Sequence, residues 1–253
     1  MSVVSVVPSR PFALDPAVPY RELRRPDLPD SLRALALDCF AAQRAAGAEH
    51  HEKKNAGATP VPGNAATGPN FPDAVSDATL ERILADGRSI GGIVTHRELA
   101  TAVPFNVRYT ADVVFDPEVA ARRRRLELEL TRWIRTLFPA GLRLVLSPAG
   151  HWWYPPGTYF GWHTNQGYPG WRLYLTHAEE PGRSYFRYRD PQQGTIETSV
   201  DTSWDMRLFE IGEQRHLWHA IYSETHRFSV GWYVRPWSMR TAAKAHAKRI
   251  LGR

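Results

Sequence analysis

Residues 171–200 read WRLYLTHAEEPGRSYFRYRDPQQGTIETSV. Three short runs of aromatic, Thr, Val and Leu residues are separated by EEPG and DPQQG, clusters whose Gly and Pro reverse a chain. The spacing predicts strands near 171–177, 184–189 and 195–200. Outward in both directions the pattern continues, with further strands near 158–163, 204–211, 216–222 and 227–235 and with PPG and GYPG as additional turns. Leu142, Leu144 and Leu146 alternate just upstream, the period of a half-buried strand. Eight of the 9 tryptophans and eight of the 10 tyrosines lie between Trp152 and Trp237, which concentrates strand-forming side chains there. Many short strands with regular turns predict a rolled, mostly β fold of barrel or jelly-roll type.

The first half differs in character. Asp30 or Ser31 can cap a helix that puts Leu32, Leu35, Cys39 and Phe40 on one face. Residues 47–72 are rich in Gly, Ala, Pro and Asn without periodicity, so a long, lid-like loop is expected there. The run SDATLERILADG at 76–87 predicts a short helix stopped by Gly87. Val107, Tyr109, Ala111, Val113 and Phe115 alternate as in a strand. A supporting helix is expected from Pro117 to Leu137, with Leu126, Leu130, Trp133, Ile134 and Leu137 as its buried stripe. The expectation is one domain over 1–253. Residues 1–103 form an arm with helices and the loop 47–72, residues 104–237 the β core with the helix 117–137, and residues 238–253 a basic amphipathic helix.

Composition removes several classes of function. The chain has 253 residues and one cysteine, Cys39. An intrachain disulfide and thiolate-clustered zinc or iron–sulfur centres are therefore excluded. No apolar run reaches the roughly 18 residues of a membrane span, and the start, MSVVSVVPSRPF, lacks the regions of a signal peptide. A cytoplasmic location is expected. The net charge is +6, but the two basic clusters, Arg122–Arg125 and the tail Lys244, Lys248, Arg249 and Arg253, read as solvated helix faces. No nucleic-acid partner is expected.

Chemistry-bearing residues collect in the β-rich part. Residues 154–165 read YPPGTYFGWHTN and residues 217–234 read LWHAIYSETHRFSVGWYV. His163 and Asn165 are two apart at a strand end, which turns both to one face. His219 follows after several intervening strands, and a rolled sheet can bring it opposite His163. Arg227 and Ser229 share a face of the last strand. Two imidazoles and an oxygen donor on one triangle leave positions open for iron chemistry, and a nearby guanidinium pairs with a carboxylate. A three-imidazole set of His163, His177 and His219 is the alternative, although alternation turns His177 away from the face of Tyr174. Trp152, Trp153 and Trp162 are candidate pocket walls, and Arg172 a candidate reader of an anionic substrate.

These motifs together, over about residues 142–236, resemble the Fe(II)/2-oxoglutarate-dependent dioxygenases, most closely the prolyl-hydroxylase-like branch. That family has a Tyr upstream of His-x-Asp, a Tyr-Leu-Asn run on the next strand, a Gly-rich turn before an aromatic strand, and a distal His followed closely by Arg. Here Tyr154, His163-Thr-Asn165, Tyr174-Leu-Thr176, Gly182-Arg-Ser-Tyr-Phe186, His219 and Arg227 stand in that order. The resemblance implies a double-stranded β-helix, with Fe(II), 2-oxoglutarate and O2 as cofactors; a small-molecule substrate is the expectation for a short core without extra domains, since nothing in the sequence marks a peptide groove, a nucleic-acid cleft or a lipid tunnel. It implies His163, His219 and position 165 as metal ligands. It implies Arg227 and Tyr174 at the distal carboxylate of 2-oxoglutarate, with Tyr154 and Ser229 as further candidates. Position 165 is Asn where the family has Asp or Glu. Some relatives lack that carboxylate: halogenases bind chloride in its place, and one asparaginyl/aspartyl hydroxylase branch uses two histidines. An oxygenase or halogenase departing from standard hydroxylation, or independent of 2-oxoglutarate, is therefore the second expectation. A metal-free β-helix binding protein is the third.

Overall fold

The computed structural model describes residues 12–55, 71–85, 101–105, 114, 116–165, 169–212 and 216–237. Among the described residues ten strands form two antiparallel sheets. They are β1 (Tyr20–Arg24), β2 (Val103–Pro104), β3 (Leu144–Tyr154), β4 (Thr158–His163), β5 (Gly170–Ala178), β6 (Ser184–Arg189), β7 (Ile196–Val200), β8 (Trp204–Ile211), β9 (His219–Ser223) and β10 (Arg227–Pro236). The larger sheet has the order β1-β8-β5-β10-β3-β2 and the smaller one β4-β9-β6-β7. From β3 to β10 the chain crosses between the sheets at every step except the β6–β7 hairpin. Eight strands wound in this way, four to a sheet, make a double-stranded β-helix, as expected; β1 and β2 extend the larger sheet at its two edges.

Among the described residues three helices brace the sheets: α1 (Asp30–Asn55), α2 (Asp77–Ala85) and α3 (Pro117–Ile134), the last continued by a 3-10 turn at Arg135–Leu137. The start of α3 is set locally. The Asp116 carboxylate accepts from the Glu118 and Val119 amides, and Pro117 occupies the first turn, where its missing N–H costs nothing. Leu126, Leu130 and Ile134 of α3 and Ala36, Cys39 and Phe40 of α1 pack on the outer face of the larger sheet, against Leu173, Leu175, Met206, Val230 and Trp232. His151 of β3 and Glu127 of α3 form a buried pair at 2.9 Å. On the other side, Val75 and Leu80 cover Trp162, Trp218 and Tyr222 of the smaller sheet. Both outer faces are thereby closed. The polar and aromatic inner faces enclose the space in which the candidate site lies.

Several expectations change. Residues 47–55 are not loop but the last turns of α1. The segment AAQRAAGAEHHEKK at 41–54 is dominated by strong helix formers, and Gly47 is there for packing: a Cβ would stand 2.8 Å from the Trp153 ring and 3.0 Å from Phe105. Residues 56–70, most of the expected strand 107–115 and the whole expected helix 238–253 lie outside the described residues. Trp153 and Trp162 face outward, into the helix-covered clusters, and only Trp152 of the three joins the inner cluster. Among the described residues no helix is long and apolar enough to cross a membrane.

The close contact at Gly47 makes a sharp prediction. Helix propensity alone has Gly47→Ala stabilising the chain by about 1 kcal/mol. The Trp153 ring is wedged in the core and cannot yield cheaply, so overpacking should instead destabilise by about 1–3 kcal/mol. Urea denaturation of the two proteins measures the sign.

Candidate active site

β4 ends and β9 begins with a histidine, and the register makes His163 and His219 Cα partners. An irregularity between Phe160 and His163 lets both of these point inward, three positions apart, while Trp162 turns out and donates its indole N–H to the Ser76 carbonyl at 2.8 Å. The two imidazole centroids are 4.1 Å apart, and each residue is only 3 % exposed. Phe160 packs edge-on to His163, and Phe186 and Phe209 flank His219. The walls are thus apolar.

Backbone hydrogen bonds set the tautomers. His163 Nδ1 donates to the Gly161 carbonyl at 2.8 Å, and His219 Nδ1 donates to the Leu217 carbonyl at 3.0 Å. A carbonyl cannot donate, so each Nδ1 carries the proton and each neutral ring keeps its lone pair on Nε2. That is the form in which imidazole ligates a metal, with its other nitrogen anchored.

Asn165 reaches this pair by a different route from the one expected. The strand stops at His163, and period-two geometry does not extend to position 165. Asn165 adopts φ +54°, a left-handed conformation that Asn tolerates better than most residues. Its amide nitrogen lies 3.2 Å from His219 Nε2. Among the described residues no group of three His, Cys, Asp or Glu could hold a metal. The candidate donor set is therefore two imidazoles and an amide. Rotating that amide by half a turn exchanges its nitrogen for an oxygen. His177 is excluded from the set. It lies against Trp204, with ring centroids 4.4 Å apart, and donates Nδ1–H to the Ser203 carbonyl, on the outer face with Phe40.

A second polar centre is carried by the larger sheet. Arg227, at the start of β10, is 2 % exposed. Its Nε donates to Asp201 Oδ2 at 2.7 Å, and Nη2 makes a long contact of 3.4 Å to Thr176 Oγ1. Its Nη1 is buried without a hydrogen-bond partner among the described residues. The guanidinium carbon stands 4.9 Å from the centre of the Tyr154 ring. Tyr154 stays a neutral hydroxyl, because burial raises its pKa far beyond the usual phenol range despite the Arg227 charge. Tyr174 lies over Gly231, where a Cβ would come within 2.5 Å of its ring, and it stacks on Phe209. Ser229 is the Cα partner of Thr176 on β5 and of Trp152 on β3.

Asp201 is the residue that the sequence did not disclose. It is 1 % exposed. Oδ1 meets Arg207 Nη1 at 2.6 Å, and Oδ2 also accepts from the Ser184 hydroxyl at 2.5 Å. Arg207 in turn binds Glu22 at 3.0 Å and the Ser199 hydroxyl at 2.8 Å. Burial alone would raise the Asp201 pKa, but the Arg207 and Arg227 charges outweigh it and hold the carboxyl at about 2. Arg207 was visible as a basic residue sharing the face of Phe209 in WDMRLFEI. Charge at an inward position of an otherwise apolar strand was the available signal.

No family model and no curated protein matches the sequence. Among solved structures, a prolyl-4-hydroxylase from Pseudomonas putida is similar at 15 % identity, covering 86 % of this chain and 93 % of that one, with TM-score 0.39. A prolyl hydroxylase from Trichoplax adhaerens, solved with a hypoxia-inducible-factor peptide, is similar at 8 % identity over 86 % and 84 %, with TM-score 0.39. An oxidoreductase of the 2OG-Fe(II) oxygenase family from Burkholderia pseudomallei is similar at 10 % identity over 58 % and 78 %, with TM-score 0.36.

Proposed function

We propose that this chain is a non-haem Fe(II) oxygenase that uses 2-oxoglutarate and O2 to oxidise a small molecule. The observation that carries the reading is the facing pair of buried histidines, both anchored through Nδ1 to backbone carbonyls so that Nε2 is the nitrogen turned away from the strand backbone's hydrogen bond. His163, His219 and the Asn165 amide would hold the metal, and Arg227, with Tyr154, Tyr174 and Ser229 around it, would hold the distal carboxylate of the cosubstrate. When bound, iron and cosubstrate supply the electrons and the activation of O2. The protein's part is to orient and to keep out water: Phe160, Phe186 and Phe209 wall the histidines, and the Arg227 Nη edge meets an oxygen acceptor.

A buried charge-assisted hydrogen bond is worth roughly 1.5–3 kcal/mol. Arg227→Ala should therefore weaken 2-oxoglutarate binding about ten- to a hundredfold. Asp201 keeps Arg207 as its partner in that variant. Fe(II)-dependent formation of succinate from 2-oxoglutarate, followed against cosubstrate concentration, tests the assignment. An unchanged constant would favour an oxygenase without this cosubstrate.

The amide at position 165 favours a second reading, an oxygenase or halogenase that departs from standard hydroxylation. A neutral donor leaves the metal one charge more positive than a carboxylate would, and so better able to take an exogenous anion. Asn165→Asp is nearly isosteric and should tighten Fe(II) binding, while Asn165→Ala should weaken it. Metal titration of the three proteins decides. Equal affinities would place Asn165 outside the coordination sphere.

A further inference from the structure

Four buried or half-buried charges alternate in sign along the inner space. Glu22 binds Arg207 at 3.0 Å, Arg207 binds Asp201 at 2.6 Å, and Asp201 binds Arg227 at 2.7 Å. The chain of charges is balanced before any ligand enters. Arg207 Nε and Nη2 donate to Ser199 and Glu22, and its Nη1, although outside hydrogen-bond geometry, stands 2.6 Å from Asp201 Oδ1. Arg227 differs: Asp201 occupies its Nε edge, while Nη1 is buried and without a hydrogen-bond partner among the described residues. A buried, unpartnered guanidinium nitrogen is costly to leave so, and it points to a ligand acceptor.

We propose that Asp201 sets the charge preference of the distal cosubstrate subsite: by neutralising Arg227 it makes that subsite recognise an oxygen acceptor rather than net negative charge. The inference rests on the cosubstrate role of Arg227 proposed above. A distal carboxylate gains a hydrogen bond from the Nη edge, but it brings its charge close to that of Asp201, which repels it at low local dielectric. A distal amide offers the same kind of carbonyl oxygen and meets no such repulsion. Asp201 is fixed in place by the Ser184 hydroxyl and by its own backbone amide, which donates to the Ser184 carbonyl at 2.8 Å. It cannot swing aside to relieve the contact. The subsite therefore separates 2-oxoglutarate only weakly from 2-oxoglutaramate, the same keto acid with its distal carboxylate converted to an amide.

The test is equilibrium binding of 2-oxoglutarate and 2-oxoglutaramate to the anaerobic, Fe(II)-loaded protein. The wild type should bind the two within about tenfold of each other. Asp201→Asn removes the repelling charge and should raise the preference for the dicarboxylate by about tenfold or more. Because that variant leaves two guanidiniums facing one remaining carboxylate, Asp201→Asn combined with Arg207→Gln, which removes one charge of each sign, provides a second background with the same expected rise. A purely structural Asp201 would weaken both ligands alike and leave the ratio unmoved. An unmoved ratio in either variant, or a wild-type preference of about a thousandfold for the dicarboxylate, overturns the inference while leaving the proposed function standing. A wild type that binds neither keto acid overturns the proposed function itself, and this inference with it.

Discussion

His163→Ala and His219→Ala should each weaken Fe(II) binding by more than about a hundredfold, beyond the range expected for removing a group that only orients a ligand, and each should keep the far-UV spectrum of the wild type. The loss follows from geometry. The two imidazoles face each other with centroids 4.1 Å apart, and among the described residues His177 lies on the outer face beside Trp204 while His151 is committed to Glu127. The fold survives because the extensive apolar clusters lie on the outer faces of the sheets, beneath the helices. Anaerobic metal titration gives the affinities. Wild-type affinity in either variant would remove the pair from the metal site.

Asp201→Ala has the largest expected effect on stability. It leaves Arg227 and Arg207 buried without the carboxylate they share, and breaking a buried ion pair by deleting one partner costs about 3–5 kcal/mol. Urea denaturation should show the loss. The same residue sets an acid limit. Its folded pKa of about 2 lies below the unfolded value of about 3.9. The stabilisation is thus fully present above the unfolded value and is lost as pH falls from about 4 through about 2. An Asp201→Ala protein whose midpoint matches that of the wild type would contradict the network's role.

The rolled β core was legible because its strands carry alternating aromatic residues between turns that contain Gly and Pro. Strands expected near 158–163, 171–177, 184–189, 195–200, 204–211 and 227–235 coincide with β4 to β8 and β10 to within a residue or two, and the run expected at 216–222 starts later, at His219. β1 was not legible, since YRELR has neither alternation nor a β-branched residue and becomes a strand only by pairing with β8. The end of α1 was misread because residues 47–72 as a whole are rich in Gly, Ala, Pro and Asn and show no periodicity. The packing reason for Gly47, the Trp153 ring, comes from a strand about a hundred residues away.

At the site, sequence spacing suggested which residues could meet but not how they are held. Period two put Asn165 on the strand face with His163; the chain instead turns there, at φ +54°, and the amide arrives beside His219. Arg227 was recognisable from its place after His219. Its carboxylate partner was not, because Asp201 sits in an ordinary-looking turn, SVDTSW, and becomes special only when β7, β8 and β10 bring two arginines to it. Long-range pairing of charges carries no periodic signal in one sequence.

The central claim is that the two histidines and the Arg227 end of the barrel form one metal-and-cosubstrate site. Anaerobic equilibrium dialysis against Fe(II), with and without 2-oxoglutarate, tests it most directly, with His219→Ala and Arg227→Ala alongside. The account predicts stoichiometric Fe(II) on the wild type and tighter retention when 2-oxoglutarate is present. It predicts no Fe(II) on His219→Ala, and on Arg227→Ala Fe(II) that 2-oxoglutarate no longer helps to retain. Wild-type protein that retains no Fe(II) in the presence of 2-oxoglutarate would contradict it.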